Sequence, residues 1–169
     1  MHMAVKPIQE ILKVNAIMYG YTFEGIDEPL ARKQLQPNAN SLTWLLGHVA
    51  STKFYMGGLI GIDEKCPWGE IFDGSITKAD QSKYPPLPEI WQSWDEITSK
   101  VLDRLPQLSE SKLGEPLPFK FPTQEQTILA GLSFLAMHEA YHVGQISTQR
   151  RLLGVDSLFD IAVREMRKQ

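Results

Sequence analysis

Residues 123–154 read TQEQTILAGLSFLAMHEAYHVGQISTQRRLLG. Within them Ile128, Leu132, Leu135, Ala136, Val143, Ile146 and Leu153 recur at helical spacing, one apolar face of a long helix. Thr123 followed by Gln126 is a capping-box pattern, so the helix is expected to start there. Gly154 supplies a left-handed stop, and Arg150 and Arg151 complement the dipole of the last turn. A second stripe of this helix reads Thr127, Gly131, Phe134, His138, His142, Gln145 and Gln149. It is small or polar where a dry core would place Leu or Ile. A face of that kind lines a site or a wet cavity.

Working outward, three more long helices are expected. The first runs from Val5 to about Phe23 on Ile8, Ile11, Leu12, Ala16, Tyr19 and Phe23. The second opens at Asn40-Ser41, two good N-caps, and carries Leu42, Leu45, Leu46, Val49, Phe54 and Leu59 before Gly57, Gly58 and Gly61 end it. The third starts near Pro88, holds Ile90, Trp91, Trp94, Ile97, Val101, Leu102 and Leu105, and stops at Pro106. A short C-terminal helix, about Leu158 to Arg167, follows the cap candidate Ser157.

The stretch Pro29 to Pro37 reads as a connection. Leu117 to Phe121, between prolines, is at most a short strand. From Gly61 to Pro88 the density of Pro and Gly excludes a long helix. A connection of that length can travel the length of a bundle, so the second and third helices should run parallel. The expected fold is an all-α four-helix bundle, up-down-down-up, in one domain over residues 1–169.

Composition narrows the function. Of 169 residues, 17 are Lys or Arg and 20 are Asp or Glu, a net charge of −3 that argues against nucleic-acid binding. One cysteine, Cys66, excludes a disulfide framework and a cysteine-rich zinc site. No basic start precedes an apolar run, and no stretch reaches the roughly 18 apolar residues of a membrane span. A cytoplasmic protein away from the membrane is expected.

The histidines carry the chemistry. His138 and His142, four apart, share a helix face and can hold one ion. His48 lies mid-helix on the stripe Ser41, Trp44, His48, Thr52 and Tyr55. Gly47 and Gly144 beside the histidines would let neighbouring helices approach. His2 is assigned no role. His138-Glu139-Ala140-Tyr141-His142 is also literally H-E-x-x-H, in which Glu139 would be a general base and Glu165 the only suitable downstream carboxylate ligand. That arrangement needs a sheet edge for a peptide, and no convincing strands are legible.

Two segments together point elsewhere. Asn40-Ser41-Leu42-Thr43-Trp44-Leu45-Leu46-Gly47-His48 resembles the opening of the second helix in the DinB-like (DinB/YfiT) superfamily. His138-Glu139-Ala140-Tyr141-His142-Val143-Gly144-Gln145-Ile146, with Arg150-Arg151-Leu152-Leu153-Gly154, resembles that superfamily's fourth helix. The resemblance implies an up-down-down-up bundle holding a divalent metal through His48, His138 and His142, and often a homodimer. Some relatives transfer or isomerise substrates attached to small thiols such as bacillithiol, mycothiol or glutathione. Many have no assigned activity.

On this view Glu139, turned about 100° from its neighbours, lies behind the ligands or faces solvent. Gln145 either orients a bound water or substrate or caps a buried polar group. Tyr141, Trp44 and Tyr55 are pocket candidates or core aromatics. Cys66 is a free structural thiol, and Arg150 and Arg151 either bind an anionic thiol or serve the helix dipole.

Three protein ligands leave an open position on the metal. The expected ion is Zn or Ni foremost, then Fe, since imidazole suits them all. The first expectation is transfer or isomerisation of a small-molecule substrate with a low-molecular-weight thiol activated at the metal. The second is hydrolysis by water activated there. The third is a non-catalytic metal-binding bundle of a stress response.

Overall fold

The computed structural model describes residues 3–37, 39–74 and 80–168; His2 lies outside them. Helices α1 (Val5–Gly20), α3 (Leu42–Leu59), α4 (Leu87–Arg104) and α6 (Ile128–Leu152) build the bundle. Shorter helices α2 (Glu28–Arg32), α5 (Glu110–Gly114) and α7 (Leu158–Met166) fill its ends. The described residues contain no strand, only an isolated antiparallel bridge between Pro116 and Thr127.

Helix direction follows from a few long-range contacts. Tyr19, near the end of α1, donates its hydroxyl to the Leu46 carbonyl near the start of α3 (3.0 Å). Its ring stacks on Trp94 in the first half of α4 at 4.1 Å. Gln9, near the start of α1, reaches the Leu102 carbonyl at the far end of α4 (3.3 Å). Helix α1 is therefore antiparallel to both α3 and α4. At the other end of α3, Leu59 lies against Gly131 at the start of α6, so α6 runs back beside α1, where Asn15 donates to the Ala136 carbonyl (3.2 Å). The topology is up-down-down-up, with the described residues 60–74 and 80–86 belonging to the connection from the end of α3 to the start of α4.

Burial explains the placement. Every residue from Leu42 to Ala50 is buried, as expected of a helix packed on all sides. Helix α4 buries one face, Leu87, Ile90, Trp94, Ile97, Thr98 and Val101, and exposes most of the opposite one. Each such aliphatic side chain contributes about 1.5–3 kcal/mol. The crossover is stitched down by Trp68, whose indole N–H donates to Glu89 (2.9 Å), and by buried Phe72.

Several expected boundaries shift for local reasons. Helix α1 ends at Gly20 and tightens into a 3₁₀ turn, Tyr21–Phe23. The connection after Pro29 contains α2, because Asp27 caps the Leu30 N–H and Pro29 suits a first turn. The segment before α6 contains α5, capped by Ser109.

Helix α6 starts at Ile128 with Thr127 as its cap, four residues beyond the expected Thr123. Gln126 is spent differently: its side chain accepts from the Phe121 N–H (3.0 Å) and donates to the Phe121 and Thr123 carbonyls (3.1 and 2.7 Å). It clamps a loop where the sequence suggested a cap. Gly154 adopts the left-handed conformation expected of it, at φ +86°. Ser157 forms a capping box with Asp160 at α7. Arg150 is buried, and its guanidinium donates to the carbonyls of Thr22, Glu24 and Asp156. It ties α6 to the chain after α1 and is not free for an anion.

Candidate metal centre

His48 on α3 and His138 and His142 on α6 face one another across the helix pair. The Nε2 atoms of His48 and His138 lie 3.4 Å apart, and those of His142 and His138 lie 3.1 Å apart. One donor atom from each of the three falls within 4.8 Å of the others. Tetrahedral zinc with Zn–N bonds of about 2.0–2.1 Å places neighbouring nitrogens about 3.4 Å apart. The spacing therefore matches what a shared cation requires.

The outer ring nitrogens fix which atoms face inward. His48 Nδ1 pairs with the Phe72 carbonyl at 2.7 Å, so it carries the hydrogen and leaves Nε2 with a lone pair. His142 Nδ1 pairs with Gln145 Oε1 at 2.7 Å, and Gln145 Nε2 in turn donates to the Tyr141 hydroxyl (3.1 Å). With both these hydrogens directed outward, two Nε2 lone pairs point at His138 Nε2. One N–H at that position can satisfy only one of them. His138 Nδ1 is itself buried without a partner. Converging lone pairs with too few hydrogens are the donor set a cation completes, so the residues fit a divalent metal.

Electrostatics agrees. Burial, reinforced by the neighbouring imidazoles, lowers His138 and His142 to about 4. Burial also lowers His48, with the Phe72 carbonyl opposing. All three rings are neutral at pH 7, the form that ligates.

The remaining candidates fall in different places. Trp44 stacks on the His48 ring at 4.8 Å and 9° and is buried, so it backs that ring instead of facing a cavity. Tyr141 is exposed, with its ring edge-on to His142 at 5.2 Å between centroids and its hydroxyl joined to Gln145. Tyr55 does line the cavity beside the histidines, as does Cys66, whose thiol sits 3.3 Å from the Ser51 hydroxyl. Gly47 makes room for the Phe72 ring, which a Cβ there would overlap. The close approach is thus by the crossover and not by a helix. Gly144 faces open space.

Glu139 neither faces solvent nor reaches the cluster as a base. Its carboxylate is ion-paired with Lys53 of α3, both side chains almost fully buried. Burial raises the Glu139 pKa, and Lys53 opposes the rise. Glu165 pairs with Lys168 and Arg164 at the other end of the chain. With Glu139 held by Lys53, Glu165 paired far from the histidines and no strand among the described residues, the H-E-x-x-H match does not build a protease site.

A cavity of about 1090 Å³ opens beside His48 and His138. Tyr55, Phe119, Phe121 and Phe134 are part of its wall. Sequence reasoning named Tyr55 for the pocket and put Phe134 on the histidine stripe, but missed Phe119, Phe121, Phe72 and Lys53. For Phe119 and Phe121 the available signal was a pair of aromatics alternating within a proline-rich segment.

The family model described as the DinB superfamily matches residues 18–146, from the end of α1 through both histidine-bearing helices. The chain belongs to the DinB superfamily. No curated protein matches it. For this DinB-superfamily chain the three gathered histidines could bind a metal ion. Among the described residues no helix is long and apolar enough to cross a membrane.

Proposed function

We propose that this DinB-superfamily protein is a metal-dependent enzyme that joins a low-molecular-weight thiol to a small electrophile, or isomerises such an adduct. His48, His138 and His142 would hold the divalent metal, zinc or nickel foremost, through Nε2. The observation that carries this reading is the convergence of three neutral imidazoles beside a cavity large enough for a whole small molecule. A divalent cation held there supplies Lewis acidity that makes a thiol ionise at neutral pH.

The chain's own groups do the rest. The Phe72 carbonyl and Gln145 amide oxygen take the outer imidazole hydrogens and so hold the ligand rings in place. Burial keeps those rings unprotonated. Tyr55, Phe119, Phe121 and Phe134 offer an apolar side of the cavity next to His138. The same reading places the protein in the cytoplasm as a homodimer. Its support is the exposed apolar side chains Ile11 and Val14 on α1 and Met137 and Tyr141 on α6.

Elemental analysis of purified protein, followed by a screen of electrophile consumption with bacillithiol, mycothiol, glutathione and coenzyme A, tests the proposal. A thiol-dependent rate lost on chelation supports it. A chelator-sensitive rate without any thiol replaces it with hydrolysis. Metal occupancy with no turnover reduces it to a metal-binding bundle. Sedimentation velocity tests the dimer.

A further inference from the structure

Five rings form an unbroken series from the surface to the histidines. Tyr55 and Phe119 are exposed at the mouth and lie 4.8 Å apart between centroids. Phe119 meets Phe121 at 5.1 Å, Phe121 meets Phe134 at 5.1 Å, and Phe134 meets His138 at 5.8 Å. The interplanar angles along this path are 42°, 67°, 44° and 34°. Rings tilted in this way do not cover one another's faces, so faces and edges remain for a guest ring.

The wall is also held in shape before any guest arrives. Gln126 grips both backbone groups of Phe121. The Leu117 N–H donates to the Gln126 carbonyl (2.9 Å) and the Ile128 N–H to the Glu115 carbonyl (2.9 Å). Leu117 sits where a Cβ on Gly131 would be, 2.5 Å from that position. A loop carrying two exposed or half-buried phenylalanines, yet pinned at four backbone groups, is preorganised, and preorganisation favours a specific ligand over casual collapse.

We propose that the series Tyr55, Phe119, Phe121 and Phe134 is the recognition wall for a flat, aryl-bearing small molecule, whose reactive atom it delivers to His138. This names the class of electrophile for the site and rests on the metal-dependent function proposed above. The occupant is a small molecule because the cavity, at about 1090 Å³, is at the upper end of ligand pockets and ends on the histidines.

Two probes separate the wall from the metal. Benzohydroxamate and acetohydroxamate, both metal-chelating, are titrated by calorimetry into zinc-loaded protein. Naphthol is titrated into metal-free protein while the phenylalanine ring resonances are followed by NMR. Benzohydroxamate is expected to bind about thirtyfold tighter than acetohydroxamate, from burial of the added ring. Naphthol is expected to shift the Phe119, Phe121 and Phe134 rings saturably.

In Phe119→Ala/Phe121→Ala, the hydroxamate ratio should fall to about threefold or less with acetohydroxamate binding unchanged. Phe119→Leu/Phe121→Leu, which keeps apolar bulk and therefore the loop, should lower the ratio by about threefold to tenfold, the part that ring-on-ring contact adds beyond area burial. Equal affinity of the two hydroxamates for the natural chain overturns the proposal, as does an aryl preference that survives both variants. Naphthol shifts confined to other rings overturn it too. Failure to bind zinc, with naphthol still on these rings, would remove the metal-dependent function and leave the aryl site standing.

Discussion

Helices α3 and α6 bury two sets of polar groups against each other, and the two are built on opposite plans. The Lys53–Glu139 pair is closed: each charge has the other, and neither side chain meets solvent. The cluster of His48, His138 and His142 is open: outer nitrogens are committed or buried, and inner lone pairs converge on one another beside a cavity. Glu139 follows His138 directly in the chain, so one helical step of about 100° separates the two plans. The difference distinguishes an ion pair whose two charges neutralise each other, although Glu139 Oε1 is left without a hydrogen-bond partner, from a cluster of like donors that has no counter-charge of its own.

The largest expected effect breaks the open side. His48→Ala, His138→Ala and His142→Ala should each abolish stoichiometric metal binding while leaving the metal-free protein folded. Metal per chain by elemental analysis, beside circular dichroism, checks this. A variant with full occupancy shows that its residue is not a ligand.

The closed side should respond in the reverse sense. Glu139→Ala strands a buried ammonium and is expected to cost about 3–5 kcal/mol, a fall in Tm of about 10 °C. Lys53→Met/Glu139→Leu should recover most of that loss, since an apolar pair of similar volume is often as stable. Metal stoichiometry should persist in the double variant. If it vanishes there while the fold is retained, the two plans are coupled and the comparison fails.

A smaller effect is expected one layer out. Gln145→Ala removes the acceptor from His142 Nδ1 and should weaken metal affinity about 10–100-fold without changing stoichiometry. Competition with a chelator of known affinity measures it.

The last prediction is a slope with pH. His138 and His142 stand at about 4 in the folded metal-free protein against 6.5 when unperturbed. Between those values the unfolded chain binds protons that the folded chain refuses, so stability falls as pH drops from 6.5 towards 4. Denaturant midpoints for the natural chain and His142→Ala should converge as the pH is lowered, because the variant lacks one of the three histidines held below their usual value. Glu139, whose raised pKa gives a slope of the opposite sign, is present in both and cancels.

Much of this was legible in the residues. The spacing of His138 and His142 places them on one face in any helix, and the proline-rich 61–88 stretch excludes a helix and so forces a crossover. Ser41 and Ser157 cap the helices they were expected to cap. Local chemistry misled where two local uses compete. Thr123 and Gln126 fit a capping box, but Thr127 offers the same hydroxyl, and the Gln126 amide gains more by holding the Phe121 backbone. Arg150 reads as a dipole charge, yet three carbonyls from distant segments claim it.

From sequence alone, period and punctuation determine which residues share a helix face and where helices must stop, because both depend on neighbours within a turn or two. Partners lie beyond that range. That Lys53 would meet Glu139, that the Phe72 carbonyl would hold His48, and that Phe119 and Phe121 would continue a line of rings to His138 depend on how four helices and a crossover pack. The long-range contacts among these join residues between 13 and 86 positions apart, and only tertiary packing, which trades burial against satisfied polar groups over the whole chain, decides them.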